Sequence, residues 1–324
     1  MAHDTNSPEM IAVHFDRHGG PSVLQLARRR VPAPAPGTVL IHVRAAGISP
    51  VDLALRAGSS ALTVPLPHVP GLDAAGTVVA VGEGVTSTGV GDEIYGSVAL
   101  TDFGGSTAEY AILSMWAAKP AAMPWEQAGA AGTSVETATR ALDLLQITAG
   151  DTVLIDGAAG GVGAIAAQLA TGRGARVIGT ARAETLKVVE ARPGVAALPA
   201  GADLAHELRT AGLGAVDAAL DASGAGVLPA LIALTGDAER VVTIADFNAT
   251  QYGVKLTRGA LAGEADGRMG LTEAAELVRR GRFTVPIRGV FPFTRAADAH
   301  RLAEARPRWG KVVLINDQPP RQQG

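Results

Sequence analysis

Residues 153–170 read VLIDGAAGGVGAIAAQLA: an apolar run, then glycines at 157, 160, 161 and 163, then an alanine-rich stretch. Glycines between a strand-type run and a helix suit one chemistry well. With no side chain in the way, the backbone approaches an anion closely. The first helical turn then presents unpaired N–H groups at the positive end of its dipole. Alone, G-x-x-G-x-x-G also serves tight strand–helix packing. Here the strand before it, the helix after it and the βαβ length of the unit favour a dinucleotide. Its pyrophosphate would lie on Gly157, Ala158, Ala159, Gly160, Gly161, Val162 and Gly163.

The end of the next strand bears on which dinucleotide. An NAD site usually places Asp or Glu there to bind the ribose 2′-hydroxyl. This chain has VIGTARAETLK, with no carboxylate before Glu184. Arg182 and Lys187 are placed to neutralise a 2′-phosphate, and Thr180 to donate a hydrogen bond to it. The alternative is that both cations are ordinary solvated helix charges. The missing acid tips the reading to NADPH.

These residues need a frame that brings strand ends together. From about 151 the sequence alternates strand and helix: TVLID, the glycine segment, ARVIGTA, ETLKVVEA, AVDAALDAS and ERVVTIAD. That alternation makes a parallel sheet with helices on its faces. Before it, short Val- and Ile-rich runs separated by APAPG, VGEGV and GVGDE have the look of an antiparallel β domain. After it, GLTEAAELVRRG reads as an amphipathic helix, RGVFPFT as a turn, RAADAHRLAEA as a helix and GKVVLIN as a closing strand. The expected architecture is α/β: a nucleotide-type domain inserted into a second, discontinuous one.

The totals narrow the class. The chain has 324 residues, enough for two domains with their own cores, and a formal net charge of −3, which leaves no basic footprint for nucleic acid. It has no cysteine, which removes disulfides, a thiol nucleophile and cysteine-bound zinc. The polar opening MAHDTNSPEM lacks the pattern of a secretory signal, and no run reads as a membrane span. A cytoplasmic protein is the expectation.

Six blocks occur in one order: AAGISPVDLALRAG, HVPGLDAAGTVVAVGEGV, GVGDEIYG, GGSTAEYA, DGAAGGVG and GKVVLIN. Together they resemble the medium-chain dehydrogenase/reductases, over roughly residues 10–316, and within them the zinc-independent quinone oxidoreductase branch. The resemblance implies a Rossmann doubly wound parallel sheet inserted into a GroES-like β-rich catalytic domain. The expected division is 1–124 and 263–324 for the catalytic domain and 125–262 for the Rossmann domain. Family members commonly pair edge strands into homodimers, and YGVKLTR (252–258) is the candidate edge.

Zinc alcohol dehydrogenases take catalytic ligands from the segments matching GISPVD and PGLDAAG and from a distant Cys. This chain offers Ser49, Leu72 and no Cys, so no metal site is expected. His68, beside two prolines, reads as a loop residue.

Without a metal to polarise a simple carbonyl, hydride is better delivered to a carbon activated by conjugation, as in enones, enals or quinones. The protein then positions the reactants and hydrogen-bonds the developing oxyanion. The resemblance offers Ser49, where the branch commonly has Asn, and Asp52 as the catalytic candidates, with a structural cap as the other reading of Asp52. It implies Thr137 near the nicotinamide. Ala222, Ser223, Ile244 and Ala245 lie at strand C-terminal ends, where the fold places its cofactor. Tyr95 and Tyr110 read as packing residues. The expected function is a metal-free, NADPH-dependent reductase of conjugated carbonyls or quinones. An enoyl-thioester or polyketide-intermediate reductase, or an NADPH-binding protein with little catalysis, are the alternatives.

Overall fold

The computed structural model describes residues 8–98, 104–201, 203–259 and 263–316. The chain forms two compact units, residues 1–133, 287–305 and 311–324 in the first, 134–286 and 306–310 in the second.

The first unit is built on antiparallel strands. β1 (Glu9–His14) pairs with β2 (Gln25–Arg30). β3 (Val39–Ile48) is nearly all buried because both its faces are covered, so it reads as a continuous apolar run. It pairs with β4 (Asp73–Val81), and β4 pairs with β5 (Glu93–Ser97). β6 (Tyr110–Leu113) also joins β3, and β7 (Met115–Ala118) joins β5. Between β3 and β4 runs α1 (Pro50–Ala57), stopped by Gly58 at φ 75°. α2 (Trp125–Ala128) is a single turn.

The late segment contributes β14 (Ile287–Pro292), α9 (Ala296–Glu304) and β15 (Lys311–Ile315). β14 corrects the expectation of a turn at RGVFPFT. It lies at the sheet edge, parallel to β15, where Gly289 and Pro292 are tolerated because one side of the strand needs no partner. Val39, Ile41, Val43, Ile94, Leu113, Val312 and Leu314 share one core cluster of this unit.

The second unit opens within α3 (Gly132–Leu144) and holds six parallel strands: β8 (Thr152–Asp156), β9 (Arg176–Ala181), β10 (Val195–Pro199), β11 (Ala218–Asp221), β12 (Val241–Thr243) and β13 (Lys255–Leu256). Their order across the sheet is β10-β9-β8-β11-β12-β13. The chain winds outward in one direction, returns to the middle and winds out in the other, which is the Rossmann arrangement. Its helices are α4 (Gly161–Gly172), α5 (Leu186–Glu190), α6 (Leu204–Thr210), α7 (Leu228–Thr235) and α8 (Met269–Arg279). Leu154, Ile178 and Ala219 of the sheet join Leu204, Leu208, Leu228 and Leu231 of α6 and α7 in one core cluster.

The expected boundary near 262 falls short, because α8 stays with the parallel sheet. Arg173, just past α4, forms ion pairs with Glu273 of α8 and Asp143 of α3, and Gly172 leaves room for Leu277. The division instead comes at 286, and at 133 rather than 124. Among the described residues, no helix is long and apolar enough to cross a membrane.

Candidate dinucleotide site and the α1 cap

The sheet order reverses between β8 and β11, and the glycine turn leaves the carboxyl end of β8 at that point. A ligand in such a sheet lies outside the strand ends there. Gly157 has φ 82°, a left-handed backbone that a side chain would strain. A Cβ on Gly163 would sit 2.4 Å from the Gly157 carbonyl oxygen, so the helix can start this close to the strand only with glycine there. No side chain caps the first turn of α4. Backbone bonds fix the loop: Ala158 N–H donates to Thr180 O (2.9 Å), Gly160 N–H to Gly157 O (2.9 Å), and Gly310 N–H to Ala159 O (2.9 Å). A turn built only of glycine and alanine, followed by an uncapped helix start, fits a dinucleotide pyrophosphate.

Beneath the loop is a row of polar residues in register, Thr180, Asp156, Asp221 and Thr243, one from each of four neighbouring strands. Thr180 Oγ1 donates to Asp156, and Thr243 Oγ1 donates to Asp221 Oδ2 at 2.8 Å. Ser223 Oγ bridges the two carboxylates, close to Asp156 and 3.2 Å from Asp221 Oδ1. Burial holds the Asp156 carboxyl above the ordinary carboxylate range. The Ser223 and Thr180 hydroxyls and the Arg182 charge oppose that rise, and Asp221 adds to it. Asp221 Oδ1 also accepts the N–H groups of Ser223 and Gly224, both at 2.9 Å, which shapes the turn after β11. Ala222 and Ile244 continue the ladder by donating to Asp156 O and Asp221 O (3.0 Å each). A Cβ on Gly224 would lie 2.7 Å from Ala245 O, so the turns after β11 and β12 meet closely.

The sequence expectation for Thr180 is corrected here. Its side chain is fully buried and its hydroxyl is given to Asp156, so it does not point at a ribose phosphate. The Ser223 hydroxyl is likewise committed to the carboxylates. Arg182 is exposed after β9 and lines an open cavity of about 350 Å³ with Glu184, Arg306 and Pro307. Lys187 is exposed on α5 and is not among those lining residues. Thr137 faces Glu136 and Arg140, donating to Glu136 Oε2 at 3.0 Å and accepting from Arg140 at 3.4 Å. Arg140 in turn bonds Glu136 and Thr257, so α3 is tied to the segment after β13.

In the first unit, Ser49 and Asp52 lie together at the start of α1, where Asp52 takes the structural-cap reading and Ser49 is its partner. Ser49 Oγ donates to Asp52 Oδ2 (2.8 Å) and accepts from Asp52 N–H (3.4 Å), while Ser49 N–H donates to the same carboxylate (2.7 Å). This is a capping box. Asp52 Oδ1 also accepts Gly71 N–H at 2.9 Å, and the side chain is 1% exposed. Burial raises its carboxyl above the usual range, against the lowering effect of the Ser49 and Gly71 hydrogen bonds. The Ser49 proton is directed at Asp52 rather than outward, so neither residue stands as a free donor. Nearby, Asp73 pairs with Lys311 (2.8 Å) and accepts Thr133 N–H; both charged side chains are buried. Tyr95 and Tyr110 are buried in the sheet, Tyr110 edge-on to the His42 ring.

Comparison with known proteins places this chain. Residues 35–124 match the family described as "Alcohol dehydrogenase GroES-like domain" and residues 199–314 the one described as "Zinc-binding dehydrogenase". It is 39% identical to the quinone oxidoreductase of Sus scrofa over 184 residues, 56% of this chain; the chain spans about half (55%) of that relative's length. Over 94% of its own length and 79% of the other's, it is 32% identical to the NADPH-dependent alkenal/one oxidoreductase, chloroplastic, of Arabidopsis thaliana. The chain belongs to the medium-chain dehydrogenase/reductases, in their quinone oxidoreductase-like branch.

The solved structure of an alcohol dehydrogenase superfamily protein from Novosphingobium aromaticivorans superposes with a TM-score of 0.82 at 30% identity, covering 95% of this chain and all (100%) of that one. For this medium-chain dehydrogenase/reductase, the first unit is the GroES-like β domain and the second the Rossmann sheet, as the sequence led us to expect. The donor set does not fit the zinc that one matched family's description carries. The chain has no Cys, Asp73 is held by Lys311, and no group of three His, Asp or Glu among the described residues could hold a metal ion.

Sequence reading missed the paired Asp156 and Asp221, although the runs TVLID and AALD both end in Asp at a strand terminus. It also missed Arg306, which carries no local signal at all.

Proposed function

We propose that this medium-chain dehydrogenase/reductase is a NADPH-dependent reductase of conjugated carbonyls (enones and enals) or quinones. The observation that carries the reading is the open cavity at the end of β9, where Arg182 and Arg306 stand beside the strand that braces the glycine loop. NADPH, when bound, supplies the hydride.

The chain's own residues do the rest. Gly157 to Gly163 and the uncapped start of α4 take the pyrophosphate, and Arg182 takes charge on the ribose side. Ala222, Ser223, Ile244 and Ala245 wall the crevice at the strand ends, and Thr137 lies at the nicotinamide side. Ser49 and Asp52 hold the start of α1 in place. With both hydroxyl and carboxylate turned inward, the proton that completes reduction comes from solvent. The name of the Arabidopsis relative, NADPH-dependent alkenal/one oxidoreductase, supports the cofactor and the substrate class together. β13, at the edge of the parallel sheet, is the strand we assign to pairing with a second copy in a homodimer.

The test is NADPH oxidation followed at the nicotinamide absorbance, against panels of quinones, enones and enoyl thioesters, with NADH alongside. Turnover of NADPH on quinones or enones is the expected result. Turnover on thioesters alone would move the substrate to an enoyl-thioester. Tight NADPH binding with no oxidation on any panel would replace the reductase with a binding protein.

A further inference from the structure

Beneath the glycine turn two aspartates share one serine hydroxyl, and the number of hydrogens there is constrained. Ser223 Oγ lies within hydrogen-bond reach of Asp156 Oδ2 and Asp221 Oδ1, and it accepts Ala225 N–H at 3.1 Å. A serine hydroxyl has a single hydrogen, so it donates to one carboxylate only. With both aspartates ionised, its other contact would set oxygen against an anionic oxygen. One added proton satisfies the row: Asp156 donates to Ser223, and Ser223 donates to Asp221.

The surroundings give that proton to Asp156. Asp221 accepts the N–H groups of Ser223 and Gly224 and the Thr243 hydroxyl, a donor set that suits an anion. Among the described residues, the Asp156 carboxyl meets only the hydroxyls of Thr180 and Ser223, and the residue is 2% exposed. Burial strengthens its hold on a proton. Of the charged groups acting on it, Asp221 of β11 favours the proton and Arg182 after β9 opposes it. Thr180 and Ser223 are neutral, and Gly157 to Gly163 carry no charge. The row also touches the turn above it. Asp156 directly precedes Gly157, and a Cβ on Gly157 would lie 3.1 Å from Ser223 Cβ.

We propose that Asp156 carries a proton in the fold and that this proton is coupled to dinucleotide binding, the turn taking the pyrophosphate when Asp156 is neutral and releasing it as Asp156 ionises. This rests on the dinucleotide reading above. A neutral acid adds no charge below an anion. On ionising, Asp156 gives its proton to solvent and leaves a second anion beside Asp221, in a buried place where salt screens it little. Rising pH therefore weakens binding. By linkage the bound pyrophosphate strengthens Asp156's hold on its proton, so binding takes up protons wherever the group is partly ionised.

The experiment is calorimetric binding of NADH and NADPH to the full chain from pH 6 to 9, in two buffers that differ in heat of protonation. NADH has no 2′-phosphate to titrate, so its profile is read first; for NADPH the difference between wild type and variant cancels that group. Wild-type affinity for NADH should fall about tenfold across the range, with proton uptake on binding. In Asp156→Asn the amide still accepts from Thr180 and donates to Ser223, and the fall should shrink below about twofold, without proton uptake. Asp221→Asn removes the charge that favours the proton and should move the fall to lower pH by about one unit. That variant carries the test if Asp156→Asn does not fold. A flat wild-type profile, a fall unchanged in Asp156→Asn, or a fall that stays in place in Asp221→Asn would overturn the coupling and leave the dinucleotide reading standing. If neither nucleotide binds at any pH, the dinucleotide reading fails and the coupling with it.

Discussion

Asp156 and Asp221 stand directly opposite each other at the carboxyl ends of two neighbouring parallel strands, and the Ser223 hydroxyl is bonded to both. Two carboxylates in one buried row under the glycine loop repel each other, and the three hydroxyls of Thr180, Ser223 and Thr243 are what make the arrangement tolerable.

The Asp156 carboxyl binds its proton more tightly in the fold than in the open chain, so its ionisation opposes folding. Between the ordinary carboxylate value of 3.8 and the higher value in the fold, the native state holds more proton, and this contribution to stability falls as pH rises. Asp156→Asn keeps an acceptor for Thr180 and offers an N–H to Ser223. Thermal unfolding from pH 4 to 8 should show the variant as stable as the wild type or more so at pH 7. A large loss of stability there would mean that the charge itself is needed.

Ser49→Ala should cost about 1 kcal/mol of stability, the usual price of an N-cap, and leave the catalytic rate within a few-fold. Asp52→Ala strips acceptors from both Ser49 N–H and Gly71 N–H, so it should cost about 2–4 kcal/mol. Urea unfolding measures both. A collapse of kcat in Ser49→Ala with unchanged stability would return Ser49 to the reaction.

At the glycine loop the two substitutions Gly163→Val and Gly160→Ala separate close packing from mere proximity. The Cβ at 163 would meet the Gly157 oxygen at 2.4 Å and must push α4 away from β8, whereas at 160 the nearest atom is 3.3 Å away. Calorimetry should find NADPH binding lost in the first and weakened only a few-fold in the second. Equal losses would place the binding backbone elsewhere.

Two histidines of the first unit make stability depend on acid. Burial lowers His68 to about 4, and burial with the Arg56 charge lowers His300 to about 3. Both are neutral in the fold and take up a proton on unfolding below their ordinary 6.5. Stability is therefore full above pH 6.5 and falls as pH drops toward 4, each histidine contributing up to about 1.4 kcal/mol per pH unit. His68→Asn should flatten that slope in a denaturant series between pH 6.5 and 4. An unchanged slope would mean that His68 is solvated and protonated in the fold.

What the sequence determined by itself was everything with a short-range physical cause. The glycine turn, its strand and its helix are written in eighteen consecutive residues, because close backbone approach requires glycine locally. The Ser49–Asp52 spacing is equally local and fits a capping box, which is how the chain uses it. The alternation that builds a parallel sheet is legible for the same reason, and the family resemblance rests on blocks of this kind. Tertiary structure decided which groups stay free. Thr180 looks like a phosphate donor until β8 places Asp156 beside it, and Ser223 looks free until two strand ends converge on its hydroxyl. Arg306 shows nothing in its own neighbourhood. Only the return of the chain after α9 brings it to Arg182 and Glu184, since side-chain chemistry at a site depends on neighbours in space, and those are set by strand order.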